Sequence, residues 1–165
     1  MVDLTVVVEW VKASSASQAI NQSTWVWPLC EILHFIGLSL LLGVTGFFDL
    51  RLMGFFSRVP IAAARGLMPL ALAGFAVNLV TGLVFLVGLP GQYAHNRIWW
   101  FKVGFIMLAG LNAWLYETRL SAQVLALEPG ADTPRTVKLI GAVSLLSWLA
   151  VLYCGRMLPF LGDAF

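Results

Sequence analysis

Charge is scarce in this chain. Asp, Glu, Lys and Arg make up 11% of its 165 residues, where a soluble domain has about 25%. That deficit excludes a water-borne globule. With 60% hydrophobic residues and a mean hydropathy of +0.88, the composition belongs to a membrane protein. The net charge of +2 comes from scattered basic residues and excludes nucleic acid as a partner. Two cysteines, Cys30 and Cys154, are too few for a disulfide framework, and both lie in apolar runs where Cys acts as a small hydrophobe. Two histidines, His34 and His95, confine any imidazole chemistry to that pair. No GxSxG, HExxH, Walker or dinucleotide fingerprint occurs, which leaves no soluble-type enzyme to argue for. Internal repeats and low-complexity segments are also lacking.

Long apolar runs dominate what remains. Four of them, about 25–53, 66–88, 98–116 and 139–158, approach or exceed the roughly 20 residues that cross the hydrocarbon. Ahead of them, Leu4, Val7, Val8 and Val11 recur at helical spacing while Glu9 and Lys12 point elsewhere. Residues 1–22 therefore read as an amphipathic helix in the interface plane, with Trp10 at headgroup level. A secretory signal fits less well, since no basic residue precedes the apolar run and Glu9 interrupts it. The expected fold is an all-α integral membrane protein with two parts: the interfacial helix, then four transmembrane helices over 23–165 in an up-down bundle.

Each span carries a seam of small or polar residues. Gly74, Asn78 and Gly82 share one face of the second, a stripe by which membrane helices approach closely. Lys102, Ala109, Asn112 and Tyr116 align on the third; Gly141, Ser144, Ser147 and Cys154 align on the fourth, with Arg156 on another face and free to snorkel. Between spans lie a Pro60-containing linker, a Pro90-Gly91 turn holding His95, and a polar connection over 117–138. Arg51, Arg58, Arg65, Arg119, Arg135 and Lys138 flank one side of the membrane; Lys12, Arg97, Lys102 and Arg156 lie on the other. The positive-inside rule then puts the six in the cytoplasm and both termini in the periplasm of a bacterial inner membrane.

The first span raises the functional question, because it carries Glu31, His34 and Asp49, and ionisable groups in hydrocarbon are costly. Glu31 and His34 are neighbours on one face, near Arg97 and Lys102 in depth. Asp49 falls at the opposite end among arginines, which leaves the Glu31–His34 pair as the candidate site. The bland reading is an ion pair of Glu31 with Lys102 and a hydrogen-bonded His34, polar contacts for a non-catalytic subunit that docks onto a larger complex. The sharpest reading is haem b, with His34 and His95 as axial metal ligands and Arg97, Lys102 and Glu31 around them. Such a redox subunit implies quinone as an electron partner, and other membrane chains or further copies of itself. Cys30 with His34 and Cys154 with Met157 offer a weaker copper site, and the ionisable groups a proton path.

The run Trp27-Pro28-Leu29-Cys30-Glu31-Ile32-Leu33-His34-Phe35-Ile36-Gly37, followed by Asp49-Leu50-Arg51-Leu52-Met53-Gly54, resembles the opening of a bacterial four-helix inner-membrane family of unknown function. Asn96 with Lys102 and the small-residue fourth helix extend the resemblance over most of the chain. It implies four spans and brings no settled activity. More loosely, the layout is similar to four-helix b-type cytochromes and to copper-resistance D membrane proteins. It departs from the cytochromes in having one histidine, not two, well inside a span.

Overall fold

The computed structural model describes residues 4–128 and 130–161. Four long helices make the bundle: α3 (Val26–Leu52), α5 (Met68–Gly88), α7 (Arg97–Leu115) and α9 (Arg135–Leu161). A short α4 (Ile61–Arg65) leads into α5. A π-helical turn at Tyr116–Leu120 and α8 (Ser121–Leu125) prolong α7, so the third span reaches Leu125 and the polar connection is shorter than its sequence suggests. No strand occurs among the described residues. All four spans are long and apolar enough to cross a membrane, as expected.

The amphipathic amino-terminal segment forms two helices, α1 (Leu4–Lys12) and α2 (Ser15–Gln22). They part at Ser14, whose hydroxyl donates to Val11 O (2.6 Å) and accepts from Ser17 N–H (3.2 Å), an N-cap for α2. Val8 and Ser17 are buried, while Trp10 is 75% exposed. The pair docks on one end of the bundle: α1 against the short α6 (Pro90–Ala94), α2 against α5.

Helix α3 is central, packed against α5 on one side and α9 on the other, and α9 packs in turn against α7. In lipid the apolar effect does not drive helices together, so close packing must. A β-carbon at Gly74 would stand 2.6 Å from Gly37 O, and one at Gly37 would stand 2.8 Å from Gly74 O. The two backbones therefore touch. A β-carbon at Gly141 would stand 2.8 Å from Asp49 O, which fixes α9 against α3 in the same way. The expected stripes serve this packing, with Asn78 Nδ2 2.7 Å from the β-carbon position of Gly37 while donating to Gly74 O of its own helix (3.0 Å); Gly82 alone of that stripe has nothing within 4 Å.

Helix ends leave carbonyls that lipid cannot satisfy. Side chains from the connections reach them. Asn21 Nδ2 donates to Gly88 O (2.8 Å), Asn96 Nδ2 to Leu158 O (3.0 Å), and Thr133 Oγ1 to Leu52 O (2.7 Å). Asn96 Oδ1 also accepts from Ile98 N–H, capping α7. At the end of α3, Gly54 with φ +101° closes a Schellman turn, Phe55 N–H to Leu50 O (3.0 Å) and Gly54 N–H to Arg51 O (3.2 Å). Asp132 and Lys138 form an exposed ion pair beside it, and the hydrogen bond from Lys138 holds the Asp132 carboxyl below its ordinary range.

Gly74→Ala should lower stability by about 1–3 kcal/mol, since added bulk meets backbone on both sides. Gly43→Ala, with nothing within 4 Å of its β-carbon, should not. Unfolding midpoints of the two variants in one detergent check the contrast.

Candidate functional site

The sequence directs attention first to the α2 end of the bundle, and the structure separates the residues there. His34 is half-buried on α3, with Nδ1 2.7 Å from Thr81 Oγ1 on α5 and its ring 5.4 Å from that of Phe85. Glu31 is exposed and makes no ion pair with Lys102; among the described residues the ion pairs are Lys12–Glu9, Arg65–Glu117 and Lys138–Asp132. The expected Glu31–Lys102 contact is thus corrected. The charge of Glu31 acts instead near Tyr93 of α6, whose phenol is pushed up first by burial and then by that charge. Lys102 turns the other way, toward α9, where its Nζ is 3.5 Å from the β-carbon position of Gly155. His95 and Arg97 are exposed, at the end of α6 and the start of α7. Among the described residues no hydrogen bond, ion pair or ring contact joins His34 to His95, Arg97 or Glu31, while the Lys102 charge lies near enough to act on the imidazole. Cys30 is half-buried and Cys154 buried, both as free thiols. No three His, Cys, Asp or Glu side chains gather into a metal-binding group among the described residues.

At the Arg51 end, the sequence puts Asp49 among arginines, and the structure parts it from them. Arg51 is 1% exposed, yet its Nε donates to Val59 O (2.6 Å) and its Nη2 to Ser57 O (3.3 Å), so it braces the loop after α3. Asp49 is 4% exposed, and its Oδ2 has no hydrogen-bond partner. The close approach at Gly141 brings Ser144, one turn further along α9, beside that carboxyl. Tyr116 on the π turn is also buried, and its hydroxyl likewise lacks a partner. Asn112, one turn earlier, ties α7 to α9 through Nδ2 and Ile140 O (3.0 Å).

These groups line one cavity of about 250 Å³ between all four long helices. Thr45 and Glu117 aside, its remaining walls are apolar, and they carry four aromatic rings in two edge-to-face pairs, Phe48 with Tyr116 (5.5 Å) and Phe75 with Trp148 (6.2 Å). The packed pairs α3–α5, α3–α9 and α9–α7 close three seams of the bundle, and α5–α7 is the fourth. The exposed lining residues, Leu72 on one side and Gly110, Ala113 and Glu117 on the other, all border that seam. The cavity therefore opens sideways, toward the hydrocarbon. Across the mouth, Arg65 Nη2 meets Glu117 Oε2 at 2.6 Å. The π turn aims Tyr116 inward while Glu117 faces Arg65, and such turns recur at functional sites.

The sequence signal for this site was present in halves. Thr45 and Asp49 share a face of α3, and Ala109, Asn112 and Tyr116 share a face of α7. Only the tertiary packing brings the two faces together. Comparison with known proteins adds no relative: no family model, curated protein or solved structure matches the chain.

A buried hydroxyl without a partner contributes nothing to the fold. Tyr116→Phe should leave stability unchanged or raise it by about 1 kcal/mol. A fall in unfolding midpoint equivalent to more than about 1 kcal/mol would show that the hydroxyl has a structural partner.

Proposed function

We propose that this chain, whose four long apolar helices suit it to a lipid bilayer, is a bilayer-embedded binding protein, which admits a small molecule from the lipid phase between α5 and α7 into the Asp49–Tyr116 cavity. One observation carries the reading: two buried polar atoms without partners, one a carboxyl oxygen, face the same laterally open apolar cavity. Ionisable groups at membrane depth are expensive and, by default, functional. An apolar pocket with a few convergent polar groups is the usual form of a small-molecule site. The excess of basic residues at the Arg51 end supports a cytoplasmic orientation of that end in a bacterial inner membrane, and with it a cavity that draws from the inner leaflet. The test is native mass spectrometry of the full chain, taken from its membrane in mild detergent. A bound small molecule is expected, and Ala109→Trp, which fills the cavity, should release it. A wild-type protein that carries nothing under any mild condition would overturn the reading.

A second reading, a haem b redox subunit passing electrons between quinone and a partner near the periplasmic face, has one observation behind it. The Thr81 hydroxyl donates to Val77 O (2.8 Å), which leaves its oxygen to accept from His34 Nδ1–H and puts the free lone pair on Nε2. Metal-ligating histidines are oriented in just this way. The residues supply one oriented imidazole; His95, exposed on another element, is not arranged as a second. Bound haem would supply one-electron chemistry. An absorption spectrum decides: a Soret band that His34→Ala abolishes supports this reading, and a colourless preparation excludes it.

A further inference from the structure

We infer that the ligand of the Asp49–Tyr116 cavity is a small organic cation, an amine or quaternary ammonium with an apolar body. The inference rests on the cavity being a binding site, as proposed above. It begins from what Asp49 lacks. The basic side chains near that end of the bundle turn elsewhere: Arg51 donates to the carbonyls of Val59 and Ser57 with only its Nη1 unpartnered, Arg65 pairs with Glu117, and Lys138 pairs with Asp132. Arg58, Arg119 and Arg135 are exposed at the surface. Among the described residues no cation forms an ion pair with the carboxyl. A carboxylate removed from water is tolerated when an opposite charge meets it, and a cation from outside the chain would be that partner.

The walls point the same way. Phe48, Phe75, Tyr116 and Trp148 all line the cavity. Aromatic rings present negative faces, and a cation desolvated against them gains up to about 2 kcal/mol or more, most against Trp. Aromatic cages with a carboxyl are therefore suited to ammonium groups, including quaternary ones that donate no hydrogen bond. An anion would meet the Asp49 and Glu117 carboxyls and the ring faces, with no basic group among the lining residues to hold it. A wholly apolar guest would leave Asp49 Oδ2 and the Tyr116 hydroxyl unpartnered.

Size and access narrow the class further. At about 250 Å³ the cavity falls below the roughly 300–1,000 Å³ of drug-sized sites, so a single ring with a cationic head fits and a phospholipid does not. The lateral mouth favours a guest that partitions into lipid.

The experiment compares benzyltrimethylammonium with neopentylbenzene, the same shape without the charge, by equilibrium dialysis against the full chain in lipid nanodiscs. Protein-free nanodiscs correct for partitioning into lipid. The cation should bind saturably and roughly tenfold or more tighter than its isostere. Asp49→Asn should weaken the cation by roughly 30-fold or more, as loss of a desolvated charge partner implies, and leave the isostere unchanged. Trp148→Leu, which keeps every charge, should also weaken the cation selectively, and it serves as the second variant if Asp49→Asn fails to fold. If the isostere binds as tightly as the cation and neither variant separates them, the cation class is wrong while the cavity stands. If wild type takes up neither compound, and Ala109→Trp behaves identically, the binding reading falls along with the inference.

Discussion

Backbone touching backbone is the constraint on which this structure depends. In a bilayer, apolar side chains gain nothing by leaving lipid for one another, so helices hold together where small residues let main chains approach. Two such points organise the molecule, Gly37 against Gly74 and Gly141 against Asp49. Both lie on α3, which is why that helix is the centre and α5 and α9 flank it. Helix α7 has no glycine in a comparable contact: Gly104 and Gly110 would meet nothing within 4 Å. It is attached through α9 by Asn112 and at the ends by capping side chains. The α5–α7 seam is the one that no small-residue contact closes, and the cavity is its consequence.

Much of this architecture was legible in the chain. Run lengths gave the four spans, and the stripe through Gly74 gave the face that α5 turns to its neighbour. The fourth helix shows Gly141, Ser147 and Cys154 buried, as their alignment implies. Span ends were less legible, because the third span continues through a π turn whose sequence, YETRL, is polar enough to read as a connection. Glu117 and Arg119 sit there on a helix surface, which composition alone does not distinguish from a loop.

The candidate site was less legible, and the reason is local. Asp49 has Arg51 two residues away and more arginines beyond, so charge counting matches it with cations. Two residues along a helix is about 200°, nearly opposite faces. Arg51 therefore points to the loop carbonyls while Asp49 points into the bundle. Glu31 misled in the opposite direction. Its proximity to His34 on one helix suggested a shared site, yet His34 turns to Thr81 and Glu31 lies exposed. Spacing along a helix fixes which residues are neighbours. It does not fix which way the neighbouring helix lies.

The two polar regions differ in a way that bears on what each is for. At His34 the polar atoms are engaged: imidazole to threonine, threonine to the carbonyl of Val77. Such a chain joins α3 to α5 and accounts for its residues by structure alone. At Asp49 the accounting does not close, because the carboxyl oxygen and the Tyr116 hydroxyl are buried without partners. Leu and Phe at these two positions would pack the same walls at lower cost. A fold held by glycine contacts and carbonyl caps has no need of either group. Their presence in a cavity open to lipid, behind an Arg65–Glu117 bridge, is what a binding site requires and a structural core does not.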